Sequence, residues 1–543
     1  MFAEPDAICG DGGAHPGTLP ESERMPDATE WTEFREQDHN VLPCARGHAH
    51  ADWMGRVEGG ARADGPRGQD GTTAAELPAT VEALFGKGMR LARLGNEAEA
   101  ARAWREILAI EPNHQGALSG LGGLLFAAGD LPGARILYSH AVASHPENPA
   151  NRVNLANLLI KEGKLAGARE QLERALAIDA GYRPAHAGLS FVLAGPGEGE
   201  RAAHHRRIAF EKQCCIPAPY RGKRPPITVL ELLSTAGGNV RMRAFLSDRI
   251  FKKYLVAAEF YHPRMDLPPH QLVVNSIGDA DAGAAALRGA QLLVDRSSAP
   301  VINAPAAVLH TRRVEIARRL GAIPGVVAPG MKRLTRAELA APGAAAALER
   351  EGIVFPMLLR SPGYHGGEHF VKIDEPDAVG AAIDHLPGAE LDAIQYLDAR
   401  GGDGKIRKYR VMMIGGRLYP LHAAISHAWK IHYFSAEMAE HPENRREEAA
   451  FLEDMPAVLG ERATGALAAI QKTLALDYAG IDFGLDAGGN LLLFEANATM
   501  AILPPGGDAR WDYRRPAFQR ASLAVYHMLV TRAAGEKLPS ASA

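Results

Sequence analysis

The sequence predicts a multidomain chain: an α-helical repeat solenoid, then an α/β unit, then an α+β unit built on antiparallel hairpins. Three observations carry this expectation. Between about residues 78 and 213, apolar residues recur at helical spacing and the pattern returns every 34 residues. From residue 227, short apolar runs alternate with helical stretches. Further on, two Gly-Gly turns, Gly415-Gly416 and Gly488-Gly489, each stand between strand-like runs. A length of 543 residues accommodates three or four such units at roughly 150 residues each.

Residues 1–77 come first and are expected to be disordered. The stretch EGGARADGPRGQDGTT has no apolar periodicity, so it cannot bury enough surface to offset the entropy of ordering. Cys44, His48 and His50 lack a second pair of ligands and are expected to belong to a solvated tail rather than a metal centre. The four cysteines form no CxxC pair, which argues against a zinc ribbon or a disulfide scaffold. No signal-peptide pattern opens the chain, and no run of about 18 apolar residues is present. With 60 basic against 64 acidic residues, the formal charge of -4 argues against a generally basic nucleic-acid binder. The expectation is a cytoplasmic protein with no nucleic-acid or membrane partner.

The repeats are expected over 78–213. Pro112 closes AWREILAIEP, and Pro146 closes LYSHAVASHP 34 residues later. In that register Gly88 matches Gly122 and Ala156, Leu91 matches Leu125 and Leu159, Ala100 matches Ala134 and Ala168, and Trp104 matches Tyr138 and Leu172. Paired helices at this period, with small residues where helices approach closely, resemble the tetratricopeptide repeat. A partial fourth unit with the polar helix ERAAHHRRIAFEK suits a terminal cap. The resemblance implies a concave surface that grips a peptide or a protein; packing against the next domain, or holding a dimer, is the other reading. CCIPAPYRGKRPP, residues 214–226, is expected to be a proline-marked linker.

Residues 227–312 are expected to form an α/β domain. ITVLELL, QLVVNSI and AQLLVDR are its candidate strands, and RAFLSDRIFKKYL and HTRRVEIARRLGA its candidate helices.

The chemistry is concentrated in YAGIDFGLDAGGNLLLFEANATM, residues 478–500. A two-residue turn at Gly488-Gly489 pairs Phe483 with Phe494 and Leu485 with Leu492 on the core face. It also sets Asp482 opposite Glu495, with Asn497 on the same face. Opposed carboxylates repel, and a hard divalent cation such as magnesium would remove that cost. The alternative is a solvent-facing polar strand face.

Asp482 followed by Glu495-Ala496-Asn497 resembles the metal-ligand pattern of the ATP-grasp fold, and the resemblance extends back to about residue 227. It implies an ATP-grasp domain over 313–535, a preceding α/β domain over 227–312 (with VVNSIGDAD and PVINAP in places where the family has similar runs), and a flexible tail over 536–543. Asp482, Glu495 and Asn497 would hold two Mg2+ ions bridging the phosphates of ATP. FPMLLRSPGYHGGEHFVKID reads as strand, glycine loop and strand. Backbone N–H groups of Gly363, Gly366 and Gly367 are placed to close over phosphates. The family has Lys where Arg360 stands, and arginine keeps the charge and a bidentate fork. AIQYLDA resembles the adenine hinge: Gln395 to the exocyclic amine, backbone groups of Tyr396 and Leu397, and Asp398 or Asp403 to the ribose. Arg313, at the head of a helix, is either a phosphate contact or a solvated residue.

In RKYRVMMIGGRLYPLHAAI, alternation sets Lys408, Arg410, Met412 and Ile414 on one face and Tyr409, Val411 and Met413 on the other. Arg410, and with it Lys408, is expected to flank the triphosphate or a developing acyl phosphate, as is Arg360. His365, His422 and His432 are candidate substrate contacts, with His427 and Lys430 beside them. One departure stands out: several peptide-bond-forming members carry Arg two residues before the first metal Asp, and position 480 is Gly. No GxSxG elbow is present, and Cys214-Cys215 lies in the linker. The resemblance therefore implies an ATP-dependent carboxylate–amine ligase working through an acyl phosphate, with the repeats delivering a peptide or protein. The alternative is a repeat scaffold whose nucleotide domain binds but does not ligate.

Overall fold

The computed structural model describes residues 76–194, 198–364, 368–431 and 436–536. The expected N-terminal tail up to residue 75, with Cys44, His48 and His50, and the C-terminal tail beyond residue 536 lie outside the described residues.

Eight helices open the described chain: α1 (Glu76–Arg93), α2 (Glu97–Ile110), α3 (Gln115–Ala127), α4 (Leu131–Ser144), α5 (Pro149–Lys161), α6 (Leu165–Ile178), α7 (Arg183–Val192) and α8 (Gly199–Phe210). The small-for-large matching seen in the sequence has a direct cause. A Cβ on Gly88 of α1 would lie 2.6 Å from Trp104 Nε1 of α2, and one on Gly122 of α3 would lie 2.7 Å from Tyr138 Cε1 of α4. In both of these pairs the first helix carries a small residue where the second seats a large one. Gly95, Gly129 and Gly163, also 34 residues apart, take positive φ of 75°, 83° and 75° in the turn inside each pair.

The segment expected to be a linker is not a free tether. Cys215–Pro217 forms strand β1, which adds antiparallel to β3 (Phe251–Ala257). The first sheet runs β1-β3-β2-β4-β5, with β2 (Ile227–Leu233), β4 (Leu272–Asn275) and β5 (Val301–Ile302) parallel to β3. Phe210, Cys214 and Ile216 share one hydrophobic core with Leu230, Leu232 and Val256 of this sheet, and the Phe210 and Phe260 rings lie 6.0 Å apart. Arg221 pairs with Glu97 of the first repeat and, at 2.9 Å, with Asp248.

Two expected elements are corrected. RAFLSDRIFKKYL is not a helix: after a short 3₁₀ turn it becomes β3, whose first four positions alternate buried and half-buried, as a strand's period of two requires. AQLLVDR is not a strand but the end of helix α9 (Ala284–Val294), which buries Ala286, Leu287, Ala290 and Leu293 at helical spacing. The expected strands ITVLELL and QLVVNSI are β2 and β4. HTRRVEIARRLGA contains helix α11 (Arg313–Leu320), which follows the short α10 (Pro305–Leu309).

Two further sheets follow. The smaller, all antiparallel, runs β7-β10-β8-β9 with β7 (Met331–Thr335), β8 (Met357–Arg360), β9 (Phe370–Ile373) and β10 (Glu390–Gln395). The larger runs β12-β11-β13-β14-β6, with β6 (Val326–Val327), β11 (Ile406–Ile414), β12 (Arg417–Ser426), β13 (Tyr478–Leu485) and β14 (Leu491–Asn497). Asn303, at positive φ after β5, bonds both backbone groups of Tyr478 at 2.7 and 2.8 Å and so ties the first sheet to the third.

Phe210 lies in a core common to the solenoid and the first sheet, so Phe210→Ala is expected to cost about 3–5 kcal/mol. Thermal unfolding should still show one transition covering the solenoid and the rest. A repeat transition left unmoved would show that the two parts are not joined through this core.

Candidate active site

The hairpin β13–β14 positions the central carboxylates, although its turn differs from expectation. Asp486 Oδ1 accepts from the backbone N–H of Gly488 and Asn490, both at 2.8 Å, and the chain turns over Ala487-Gly488-Gly489 instead of two residues. The strands start one residue out of the expected register, pairing Leu485 with Leu491 and Phe483 with Leu493. A bulge at Phe494 then restores it, so Asp482 does face Glu495 and Gly480 faces Asn497. The expected Phe483–Phe494 and Leu485–Leu492 pairs are therefore not formed. The bulge sends Phe494 to the wall of the cleft, as bulges beside sites commonly do.

Asp482 is 4% exposed in the middle of the large sheet, with β11 on its other side. Arg410 clasps it with Nε at 2.6 Å and Nη2 at 2.8 Å, and Lys408 Nζ stands 3.4 Å away. Burial pushes its carboxyl pKa upward, but Arg410 and then Lys408 outweigh burial and hold it well below the usual carboxylate range. The Gly415-Gly416 turn forms as expected between Ile414 and Arg417, so Lys408 and Arg410 share the face of Asp482. His422 lies opposite Arg410 on β12; burial and then the Arg410 charge lower its pKa well below the ordinary value, which makes it neutral.

Glu495 is answered from elsewhere. Arg313, at the start of α11, donates to its Oε1, and Arg360, at the end of β8, lies near it. Burial again raises this carboxyl pKa, and Arg313 followed by Arg360 brings it below its ordinary value. Asn497 Oδ1 accepts from Thr499 N at 3.0 Å and Thr499 Oγ1 at 2.8 Å. Two carboxylates and a carboxamide oxygen are hard oxygen donors of the kind magnesium takes, so the set fits the expected ion in its chemistry.

A cleft lies where three parts meet. The large sheet lends Phe494, Glu495 and Asn497; the small sheet lends Arg333, Arg360 and Asp392; the loop after β4 lends Gly278 to Asp281. A Cβ on Gly278 would lie 2.6 Å from the Ala498 carbonyl oxygen, so only glycine lets that loop come so close to the end of β14.

Among the expected site residues, the cleft brings together Arg313, Arg360, Gly363, Glu495 and Asn497; Asp482 is the cross-strand neighbour of Glu495, with Lys408 and Arg410 against Asp482. Gly363 turns at φ 83°, and Arg360 donates to the carbonyl of Tyr364. Gly366, Gly367, His365 and His432 lie outside the described residues. The hinge residues do not line this cleft. Gln395 accepts from Val354 N at 2.6 Å and donates to the Tyr396 carbonyl at 3.0 Å, so its amide and that carbonyl are occupied by the chain itself. Asp398 accepts from Arg400 N, and Asp403 is held by Arg407. Leu397 packs in a small apolar cluster with Trp429 and Phe494. Trp429 meets Phe370 edge-on, Lys372 Nζ sits 5.0 Å above the Tyr396 ring, and His427 pairs with Glu437 outside the cleft. Lys430 Nζ donates to the Phe370 carbonyl.

Sequence reasoning missed Arg333 and Asp392. The signal was a lone carboxylate inside the otherwise apolar run LDAI, where an unpaired charge has no place.

A family model described as tetratricopeptide repeat matches residues 91–150 and 125–190. Residues 91–190 are tetratricopeptide repeats. No curated protein matches the chain. Among solved structures, MamA residues 41 to end from Desulfovibrio magneticus RS-1 is 23% identical, over 24% of this chain and 77% of its own, with a TM-score of 0.23. D-alanyl-alanine synthetase A from Vibrio cholerae O1 biovar eltor is 13% identical, over 57% of this chain and all of its own, with a TM-score of 0.35. VanG D-Ala:D-Ser ligase from Enterococcus faecalis is 11% identical over the same shares, with a TM-score of 0.36. After the repeats, the chain forms the expected α/β unit followed by two antiparallel-rich sheets lining one cleft. Among the described residues no helix is long and apolar enough to cross a membrane.

Two outcomes follow from this packing. A Cβ on Gly480 would stand 2.6 Å from Met500 Sδ and 3.0 Å from Met412 Sδ. Gly480→Ala is thus expected to cost about 1–3 kcal/mol in a denaturant titration, and an arginine at this position would meet a wall of methionines. Asp482 and Glu495 both have lowered folded pKa values, so they add stability above the unfolded carboxyl pKa of about 4, lost as the pH falls through their folded values. Asp482→Asn should flatten that acid limb and cost about 3–5 kcal/mol at neutral pH, because Arg410 and Lys408 lose their buried counter-charge. An unchanged acid limb in the variant would exclude this pairing as its source.

Proposed function

We propose that the protein is an ATP- and magnesium-dependent ligase that joins a carboxylate to an amine. The observation that carries this reading is the convergence, in one cleft, of Arg313 and Arg360 with Glu495 and Asn497, backed by the Asp482–Arg410–Lys408 cluster. In this reading a carboxylate oxygen attacks the γ-phosphorus, ADP leaves, and an acyl phosphate forms. The amine nitrogen then attacks the acyl carbon, inorganic phosphate leaves, and the amine gives up a proton as the amide forms.

Arg313 and Arg360 bind the phosphates, and Arg410 and Lys408 keep Asp482 ionised at neutral pH. Asp482, Glu495 and Asn497 would hold magnesium, which when bound supplies neutralisation of phosphate charge. The glycine loop from Gly363 and the hinge at Gln395–Asp398 would take the phosphates and the adenine, the hinge after Gln395 gives up its internal bonds. Catalysis is then positioning and electrostatics, with no side-chain nucleophile. The repeats bind a peptide or protein and present it to the ligase part, and the setting is the cytoplasm.

Calorimetry of the full chain with ATP tests the reading. Wild type should bind only with magnesium, and Glu495→Ala should lose at least about tenfold in affinity. No binding to wild type would sink the proposal and leave a repeat scaffold. Binding without ADP release across a screen of acids and amines would remove the ligase step alone.

A further inference from the structure

A short 3₁₀ turn, Ala258–Phe260, follows β3 and stands between the solenoid and the first sheet. Its side chains serve both sides. Phe260 meets Phe210 of α8, with ring centres 6.0 Å apart. Glu259 holds the loop after β2: its Oε1 accepts from Ser234 Oγ at 2.8 Å, Thr235 N at 2.9 Å and Thr235 Oγ1 at 3.3 Å. The turn also lies close on α9, where a Cβ on Gly289 would stand 2.0 Å from the Ala258 carbonyl oxygen.

From the loop after β2 the bonds run on to the cleft. Asn239 closes that loop on Ser234, accepting from its N–H at 2.8 Å and donating to its carbonyl at 2.7 Å. The Gly238 carbonyl then accepts from Gly278 N at 3.0 Å and Asp279 N at 2.9 Å. Gly278 to Asp281 line the cleft, and Asp281 accepts from the backbone N–H of Arg313 at 3.1 Å. A continuous series of contacts thus joins the last repeat helix to the arginine that pairs with Glu495.

The joint also contains an ion pair that is not made. Glu259 Oε2 is buried and has no hydrogen-bond partner among the described residues. Arg206 of α8 is half-buried and makes no hydrogen bond or ion pair among them. Burial lowers its pKa, and the Glu259 charge opposes that. A buried acceptor without a donor is costly, so a movement of α8 that brings Arg206 to Oε2 gives the joint a second arrangement. Coupling between distant sites needs such an element with two arrangements.

We propose that the turn Ala258–Phe260 couples the solenoid to the cleft, with Glu259 as the positioning residue that carries a displacement of α8 to the loop holding Arg313. A partner drawn onto the last repeats then changes the cleft, and a ligand in the cleft changes the affinity for that partner by the same factor. The coupling itself does not depend on what the cleft binds; only its effect on ATP rests on the nucleotide reading.

Hydrogen exchange of the full chain, followed by mass spectrometry, tests it without a ligand. Glu259→Ala and Phe260→Ala should each speed exchange at Gly278 and Asp279 by about fivefold or more, the worth of one hydrogen bond, with β13 and β14 unchanged. Phe260→Ala leaves the Glu259 bonds in place, so it also guards against a Glu259→Ala that fails to fold. Glu259→Gln keeps an acceptor at the same position and should exchange close to wild type. Calorimetry with MgATP should show weaker binding in the two alanine variants and restored binding in Glu259→Gln. Unchanged exchange in both alanine variants, or faster exchange in Glu259→Ala alone, overturns the coupling. Faster exchange in both, with no MgATP binding to wild type, supports the coupling and sinks the nucleotide reading.

Discussion

Two carboxylates stand opposite each other on neighbouring strands, and the rest of the cleft answers their charge. Asp482 and Glu495 are cross-strand partners, Asp482 buried and Glu495 partly exposed at the cleft. Unit charges about 5 Å apart repel by about 3 kcal/mol at an effective dielectric near 20. The chain offsets this with cations from separate elements: Arg410 and Lys408 from β11, Arg313 from α11, Arg360 from β8. None of these can be supplied by the β13–β14 hairpin itself. The small sheet, α11 and the large sheet must therefore meet at this point, and the cleft is the place where they do.

The solenoid is held to that assembly by the ordinary means of a domain core. Phe210, Cys214 and Ile216 are buried with residues of β2 and β3, and β1 extends the first sheet by backbone pairing. Arg221 adds a tie back to Glu97 in the first repeat. A partner gripped by the repeats would be held at a set position relative to the cleft, without the search that a flexible tether demands. The proline-rich stretch that looked like a spacer serves as a rigid joint.

Much of this was legible in the sequence, for local reasons. The 34-residue period survives because each repeat needs a small residue beneath a large one, as at Gly88 and Trp104. The Lys408–Arg410 face followed from strand alternation and a true two-residue turn. The Asp482–Glu495 opposition came out right although the turn length did not, because the bulge at Phe494 compensates a three-residue loop. A bulge depends on what its side chain meets, and that is tertiary information. The misread β3 and α9 were short apolar segments, where period two and period 3.6 cannot be told apart without neighbours. Arg333 and Asp392 are 59 residues apart and paired only through β7 and β10; nothing local links them. The sequence showed that Gly480 departs from a ligase pattern, but its cause, the Met412–Met500 wall, appears only once β11 lies beside β13.

That wall bears on how the cleft would hold a polyanion. With no cation at 480, the positive charge available to phosphates is already engaged: Arg313 by Glu495, Arg410 by Asp482, Arg333 by Asp392. A triphosphate that draws Arg313 and Arg360 toward itself leaves Glu495, a partly buried carboxylate, without its counter-charge. Separating such a pair is unfavourable. In the proposed reading a divalent cation held by Glu495 would restore the lost counter-charge. Nucleotide and cation would then be linked, each raising the affinity for the other by the same factor. Metal dependence of nucleotide binding would then follow from the chain's own ion pairs. It should be steepest for ligands with enough negative charge to compete for Arg313.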